Sequence, residues 1–309
     1  MYFTAVRRKK QLVRTILENR QCKEYNLQCM VLNITEVTDM IQELGKEKLN
    51  NSYRSLKPQP SDRMFSFDGQ SVYVFNGVTP ELPEAGTTEG EKTYLFSIGE
   101  DRYFLYMGKP ETEGLDLIPV RELRYTPDRK FVFALYTAYH LYQWYRDNQY
   151  CGRCGKKMVH DGVERMMRCD SCGNRVYPKI SPAVIVAVMD RENDEIVLTK
   201  YSGRVYKRYA LIAGFTEIGE TAEETVAREV MEEVGLKVKN IRYYKSQPWG
   251  TDCDLLLGFT CEVDGDKTIS MDENELSVAE WVKREDMDTE DDGLALTSEL
   301  MRMFKENRL

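Results

Sequence analysis

The chain has 309 residues, of which 42% are hydrophobic, 30% charged and 11% aromatic, with a formal net charge of −8. A mean hydropathy of −0.53 and the lack of any apolar stretch near the roughly 20 residues needed to cross a bilayer exclude a helical membrane protein. The apolar content excludes a disordered chain, and the length suggests about two domains.

The first 21 residues, MYFTAVRRKKQLVRTILENRQ, contain no apolar core followed by a small-residue cleavage site. No secretory signal is expected, and the reading is cytoplasmic. Residues 1–39, with seven basic and four acidic side chains and no clean period, form an N-terminal extension, and Met40 offers an alternative start. Residues 40–125 are expected to be a β-rich domain. After a loop at 58–62 (PQPSD), the runs SVYVFNG, TYLFSIG and RYFLYMG predict short strands of an antiparallel sheet. The stretch ELPEAGTTEGE between the first two reads as an exposed loop, and a binding or dimerising module is the default role.

Residues 126–178 are read as a linker helix and a cysteine-rich ribbon. Thr126-Pro127-Asp128 opens a helix with apolar residues at helical spacing. His140 and Trp144 lie four apart on it and are read as a packed face rather than as ligands. In residues 179–309 the strands PAVIVAVMD and EIVLTK flank the turn RENDE, and RYALIAGF is a third. The helix ETAEETVAREVMEEVG is stopped by Gly235. The strands KVKNIRYYKSQ, DLLLGFTCEV and SVAEWV follow, then a closing helix, GLALTSELMRMFKE. This order predicts an α+β fold, a mixed-sheet α/β/α sandwich rather than a doubly wound sheet.

Eight cysteines without an export signal argue against a disulfide scaffold. Cys22, Cys29, Cys253 and Cys261 are scattered and read as inert thiols. Cys151, Cys154, Cys169 and Cys172 instead form two C-x2-C-G knuckles, with fourteen residues between Cys154 and Cys169. Each knuckle aims two thiolates inward, and together they supply a tetrahedral S4 site suited to Zn2+. Redox-active pairs are the competing reading, disfavoured by the matched glycines. A closed S4 site leaves no position for water, so the zinc is structural. Segment 151–179 has seven basic and three acidic residues, which leaves open both nucleic-acid contact and a purely structural clip.

The segment GFTEIGETAEETVAREVMEEVGL starting at Gly214 fits the pattern G-x5-E-x7-R-E-U-x-E-E-x-G-U, with U aliphatic. Glu229, Glu232 and Glu233 stand at i, i+3 and i+4, so their carboxylates share one helical face. Such crowding repels unless cations intervene, and hard Mg2+ or Mn2+ suits carboxylate oxygens and a diphosphate. Val226, Val230 and Val234 fall on another face and hold the helix to the sheet. A solvated acidic face is the bland alternative, which the fixed glycine and arginine positions oppose. On these residues the chain resembles the Nudix hydrolases. The resemblance implies that Glu229, Glu232 and Glu233 are metal ligands, with the Ala213 carbonyl as another. It also implies that Arg228 holds Glu220 or a neighbouring carboxylate, and that Glu275, in DENELSVAEW, is a candidate catalytic base and further ligand.

The cysteine ribbon upstream, together with Ser246-Gln247-Pro248-Trp249 downstream, is similar to the NADH pyrophosphatase branch of that family. That similarity implies a homodimer cleaving the diphosphate of NADH or NAD+ to nicotinamide mononucleotide and AMP, or removing NAD caps from RNA. Phe215 and Trp249 would stack on the nicotinamide ring, and Tyr177 and Gln247 would be further substrate contacts. For all four the alternative is core packing. The branch continues Pro-Phe-Pro-x-Ser after the tryptophan, whereas this chain has Gly250-Thr251-Asp252-Cys253-Asp254. The added acids put NAD(H) selectivity in question, and ADP-ribose or another X-linked nucleoside diphosphate is the alternative substrate. A nucleotide-sensing regulator without turnover is the rival class, and the complete glutamate set argues against it. Residues 214–309 carry 24 acids and 11 bases, against 27 and 32 in residues 1–213, so the charge is concentrated where the carboxylate helix lies.

Overall fold

The computed structural model describes residues 40–77, 79–203, 208–287 and 294–309, and the expected extension over 1–39 lies outside them. The first sheet comprises β1 (Leu49–Asn50), β2 (Arg63–Asp68), β3 (Ser71–Val74), β4 (Thr93–Ile98), β5 (Asp101–Tyr106) and β6 (Asp116–Pro119). Their order is β1-β4-β5-β2-β3-β6. Strands β4 and β5 pair antiparallel, as predicted, and β2 pairs antiparallel with β3, but β2 pairs parallel with β5 from Arg63↔Tyr103 to Ser66↔Tyr106. The sheet is therefore mixed, because two hairpins dock side by side. Strand β2 (RMFSFD) was not expected: Met64, Phe65, Ser66 and Phe67 are all buried, which hides the period-2 alternation. The glutamate-rich stretch at 81–91 is also less exposed than expected. Leu82 and Ala85 enter the core, and the Ala85 N–H donates to the Asp62 carbonyl at 2.7 Å.

Helix α1 (Arg129–Asp147) begins at Asp128, whose carboxylate accepts from the Phe131 N–H at 3.0 Å. Its rings Tyr139 and Tyr142 pack on Phe67 with centroids 5.4 and 4.9 Å away. Trp144 is buried, and His140 Nε2 lies 2.8 Å from the Lys179 carbonyl oxygen, so both serve packing, as read from their spacing. The hydrophobic cluster around α1 extends to Cys151, Met158, Met167 and Cys169. These belong to or flank a small antiparallel ribbon of β7 (Val159–His160), β8 (Met167–Arg168) and β9 (Arg175–Val176).

The second sheet is built on β10 (Ser181–Asp190), with β11 (Glu195–Tyr201), β12 (Ile212–Phe215), β13 (Val238–Trp249), β14 (Asp254–Val263) and β15 (Leu276–Lys283). Its order is β13-β14-β10-β11-β15, with β12 also on β10. Strand β14 runs parallel to β10 from Ser181↔Asp254 to Met189↔Glu262. The opposite edge of β10 is shared by β12 (Ala183↔Phe215 to Val186↔Ile212) and the start of β11. Two helices cover this sheet: α2 (Ala222–Val234) and α3 (Leu296–Lys305). Val184, Val186 and Val188 cluster with Val226, Val230 and Val234 of α2. Ala183, Ile185, Ala187 and Met189 cluster with Leu296, Leu300 and Phe304 of α3. The predicted sandwich is thus present, and a strand covered on both faces explains the unbroken apolar run PAVIVAVMD.

Candidate active site

Strand β12 and helix α2 build the acidic site through one close approach. A Cβ at Gly214 would stand 1.9 Å from the Glu229 carboxyl carbon, so the carboxylate lies directly on the strand backbone and only glycine fits. The helix starts with a capping box: Thr221 Oγ1 accepts from the Glu224 N–H at 3.2 Å, and Glu224 Oε2 accepts from the Thr221 N–H at 2.8 Å. Gly235 ends it at φ 71°, and a Cβ there would meet Ser270 at 2.9 Å. With the valines facing the sheet, the helix has its glutamates left for the site.

Arg228 organises them. It donates to Glu220 through Nε (2.6 Å) and Nη2 (2.9 Å), as the resemblance implied. It also donates through Nη1 to Glu229 (2.7 Å) and Glu232 (2.9 Å), and through Nη2 to the Phe215 carbonyl (2.9 Å). The Arg228 hydrogen bond holds the Glu220 carboxyl well below the usual range, at about 2. Glu229 and Glu233 move the other way. Burial raises both, Glu233 to about 8, with the charges of neighbouring carboxylates, Glu275 among them, adding to the effect. Glu233 is 1% exposed, and its Oε2 has no hydrogen-bond partner.

The loop carrying Glu275 is fixed to the same place. The Asp272 N–H donates to the Glu233 carbonyl at 3.0 Å, and the Ser202 N–H donates to the Glu275 carbonyl at 2.8 Å. The Tyr201 hydroxyl lies 3.3 Å from Glu233 Oε1 and 3.4 Å from the Ala213 carbonyl. Tyr201 was not singled out in the sequence. Its parity with Val197 along β11 gives its sheet face, but nothing in the sequence gives its partners. A buried carboxylate oxygen without a partner, two carboxylates that burial makes harder to ionise, and an all-oxygen donor set fit a hard divalent cation. Glu229, Glu232, Glu233, Glu275 and the Ala213 carbonyl are the groups that could hold it.

The substrate residues suggested by the sequence separate into two kinds. Tyr177 and Phe215 are 51% and 54% exposed, and the Tyr177 hydroxyl donates to Glu164 Oε2 at 2.9 Å. Gln247 is instead fully buried: its Nε2 donates to the Leu294 carbonyl at 2.7 Å, and its Oε1 accepts from the Leu296 N–H at 2.8 Å. Its amide caps the start of α3, the packing alternative read from the sequence. Trp249 is also packed: it stands edge-on to Tyr136, with centroids 5.4 Å apart, under the Arg124 guanidinium, so its ring serves the junction between two hydrophobic clusters. The loop that departs from the branch motif follows. A Cβ on Gly250 would fall 2.0 Å from the Tyr136 carbonyl, so glycine lets the chain turn against α1. Asp252 pairs with Arg121 at 2.7 Å. Asp254 is buried with Oδ1 unpartnered, and burial, reinforced by Asp252 and opposed by Lys179, pushes it up to about 7.

Among the described residues, the four ribbon cysteines form a group placed to hold a metal ion, their sulfurs all within 4.8 Å of one another. The knuckles repeat one pattern of hydrogen bonds. Gly155 N–H donates to the Cys151 carbonyl and Gly173 N–H to the Cys169 carbonyl, at φ 74° and 72°. Cys151 N–H donates to Lys156 and Cys169 N–H to Asn174. This S4 arrangement fits structural zinc.

Residues 179–302 match the NUDIX domain family, so this part of the chain is a Nudix domain. Residues 146–177, directly before it, match the NADH pyrophosphatase zinc ribbon domain. The chain is 42% identical over 147 residues to the NAD-capped RNA hydrolase NudC of Escherichia coli O1:K1 / APEC, and equally to that of Escherichia coli strain SMS-3-5. Each match covers 48% of this chain and 56% of the relative, so the chain spans about half the length of the curated relatives it matches. Among solved structures, a NUDIX hydrolase from Nitrosomonas europaea is 19% identical with a TM-score of 0.44, covering 51% of this chain and 91% of that one.

Proposed function

We propose that this chain hydrolyses the central diphosphate of NADH or NAD+ to nicotinamide mononucleotide and AMP, and that NAD-capped RNA is a further substrate. The observation that carries the reading is that the Glu229 carboxylate lies against Gly214 while the Tyr201 hydroxyl reaches both Glu233 and the carbonyl of neighbouring Ala213, with the backbone of the Glu275 loop bonded to Glu233 and Ser202. Glu229, Glu232, Glu233, Glu275 and that carbonyl would hold Mg2+ or Mn2+, which when bound neutralises diphosphate charge and makes water a better nucleophile. Arg228 keeps Glu229 and Glu232 in place. Glu275, exposed on its loop, is suited to take the proton of the attacking water. The half-exposed rings of Phe215 and Tyr177 offer flat surfaces for nicotinamide. The enzyme would work as a homodimer in the cytoplasm, with its zinc thiolates kept reduced. No helix among the described residues is long and apolar enough to cross a membrane.

Asp254 favours a second reading. Asp254 and its neighbours replace the branch's Pro-Phe-Pro-x-Ser, so the part of the motif that follows the tryptophan does not specify NAD(H), and ADP-ribose or another nucleoside diphosphate linked to X is the alternative. Initial rates on NADH, NAD+ and ADP-ribose, in Mg2+ and in Mn2+, test the choice. Nicotinamide mononucleotide and AMP as the fastest-formed products support the first reading, and a clear preference for ADP-ribose replaces it.

A further inference from the structure

We infer that Tyr201 is a positioning residue of the acidic site, its hydroxyl bridging the Ala213 carbonyl and Glu233 so that these two oxygens keep a fixed separation. The inference rests on the proposed cation site and goes beyond it, because it assigns the spacing of the site's oxygens to a strand outside the Nudix motif. Strand β11 pairs with β15 regularly from Glu195↔Lys283 to Lys200↔Val278, then shifts to Tyr201↔Leu276. Ser277 is the extra residue of this bulge, and its Oγ donates to the Lys200 carbonyl at 3.0 Å. Bulges of this kind re-aim side chains and end pairing beside functional sites. Here the shift sets Leu276 opposite Tyr201, and Glu275 leaves the sheet immediately afterwards.

The end of β11 therefore touches two of the proposed oxygen donors and anchors the backbone of a residue that carries another. The Tyr201 hydroxyl reaches the Ala213 carbonyl (3.4 Å) and Glu233 Oε1 (3.3 Å), and the adjacent Ser202 N–H holds the Glu275 carbonyl (2.8 Å). A hydroxyl has one proton, so contacts of nearly equal length to two acceptors describe sharing between them. Ala213 and Glu233 belong to different elements, β12 and α2, and Tyr201 links the two from a third. Packing alone would account for the ring, which lies against the α2 cluster, but not for the hydroxyl. Tyr201→Phe separates the two roles, since it keeps the ring and removes the bridge.

The test uses the full zinc-loaded chain and Mn2+ as the probe, with free Mn2+ measured by electron paramagnetic resonance in the absence of substrate. Wild type, Y201F, E233Q, the double variant Y201F/E233Q and E232Q are titrated, with near-ultraviolet circular dichroism confirming each fold. Y201F should weaken Mn2+ binding about tenfold, in the range typical when a partner of a metal ligand is lost. In the E233Q background the added loss from Y201F should be clearly smaller than in wild type, because part of the hydroxyl's effect passes through Glu233. In NADH hydrolysis the Mn2+ concentration for half-maximal rate should rise for Y201F, while the rate at saturating Mn2+ recovers. Wild-type Mn2+ affinity in Y201F, or losses that multiply in the double variant, would overturn the inference. Equal Mn2+ binding by wild type and E232Q would instead overturn the cation site itself.

Discussion

At Gly214 a single hydrogen separates a working site from a blocked one, because any Cβ would overlap the Glu229 carboxylate. Gly214→Ala is expected to lower NADH hydrolysis at least about a hundredfold, the usual cost of displacing a reacting group by about 1 Å. Steady-state rates beside a thermal unfolding curve check it, and a near-normal rate would show that Glu229 can move aside. Glu232 is the complementary case, since its exposed side chain is held only by Arg228. Glu232→Gln should abolish hydrolysis while leaving the unfolding temperature nearly unchanged, and retained activity would contradict its assignment as a ligand. Asp254 makes a prediction of opposite sign. Its carboxyl is raised to about 7, so it is mostly neutral at about pH 5 and a buried charge at about pH 8. Each tenfold weakening of an acid on folding corresponds to about 1.4 kcal/mol, and solvent screening of a partly exposed group reduces that figure. Asp254→Ser should therefore stabilise the chain by about 2 kcal/mol more at the higher pH than at the lower. Urea unfolding at the two pH values measures the difference.

Among the elements, the ribbon depends most on something outside the chain. Cys151 and Cys169 lie in the same hydrophobic cluster as α1 and the first sheet, so loosening the knuckles would open that cluster. Zinc content should approach one ion per chain. Chelation should lower the unfolding temperature and weaken near-ultraviolet signals from the tyrosines of α1, and a zinc-free chain with an unchanged melt would reject a structural zinc. The elements also divide by how far the sequence disclosed them. The α2 helix, its cap at Thr221, its stop at Gly235 and the cysteine knuckles were legible because their signals are local: each residue type answers a backbone or ligand need within one turn. Strand β2 and its parallel partner were not, because docking of two hairpins is set by contacts across about 40 residues of sequence. For Gln247 and Trp249 the sequence left packing and substrate contact as alternatives, for a related reason. A polar or aromatic side chain in a motif looks the same whether it faces a ligand or, as here, caps a helix or fills a junction.

For the whole molecule, the buried acids set how stability depends on pH. Glu233 and Asp254 have raised values in the folded state, about 8 and about 7, so their contribution is complete below the unfolded carboxylate range and is lost as pH rises through those values. Glu220, lowered to about 2, acts oppositely: its contribution is present above the unfolded carboxylate range and is lost on acidification. A zinc-loaded chain dialysed free of Mg2+ and Mn2+ should therefore be most stable in mild acid, near about pH 5, and weaken toward about pH 8. Added Mn2+ should restore the alkaline side, where the carboxylates are ionised and able to bind it. Denaturation midpoints across this range, with and without Mn2+, check both statements, and a flat profile without Mn2+ would mean that Glu233 ionises freely. The order of strands along the chain bears on a different matter, the timing of folding during synthesis. Every strand of the first sheet lies between Leu49 and Pro119, and its covering helix is complete at Asp147, so that half can close while the ribosome is still making the rest. Strand β10 has no such option. Its long parallel neighbour ends at Val263, and α3, which covers one of its faces, ends at Lys305. The face of this apolar strand that α3 covers must therefore wait for more than a hundred residues after Asp190, which makes it a stretch for which a nascent-chain chaperone would have use.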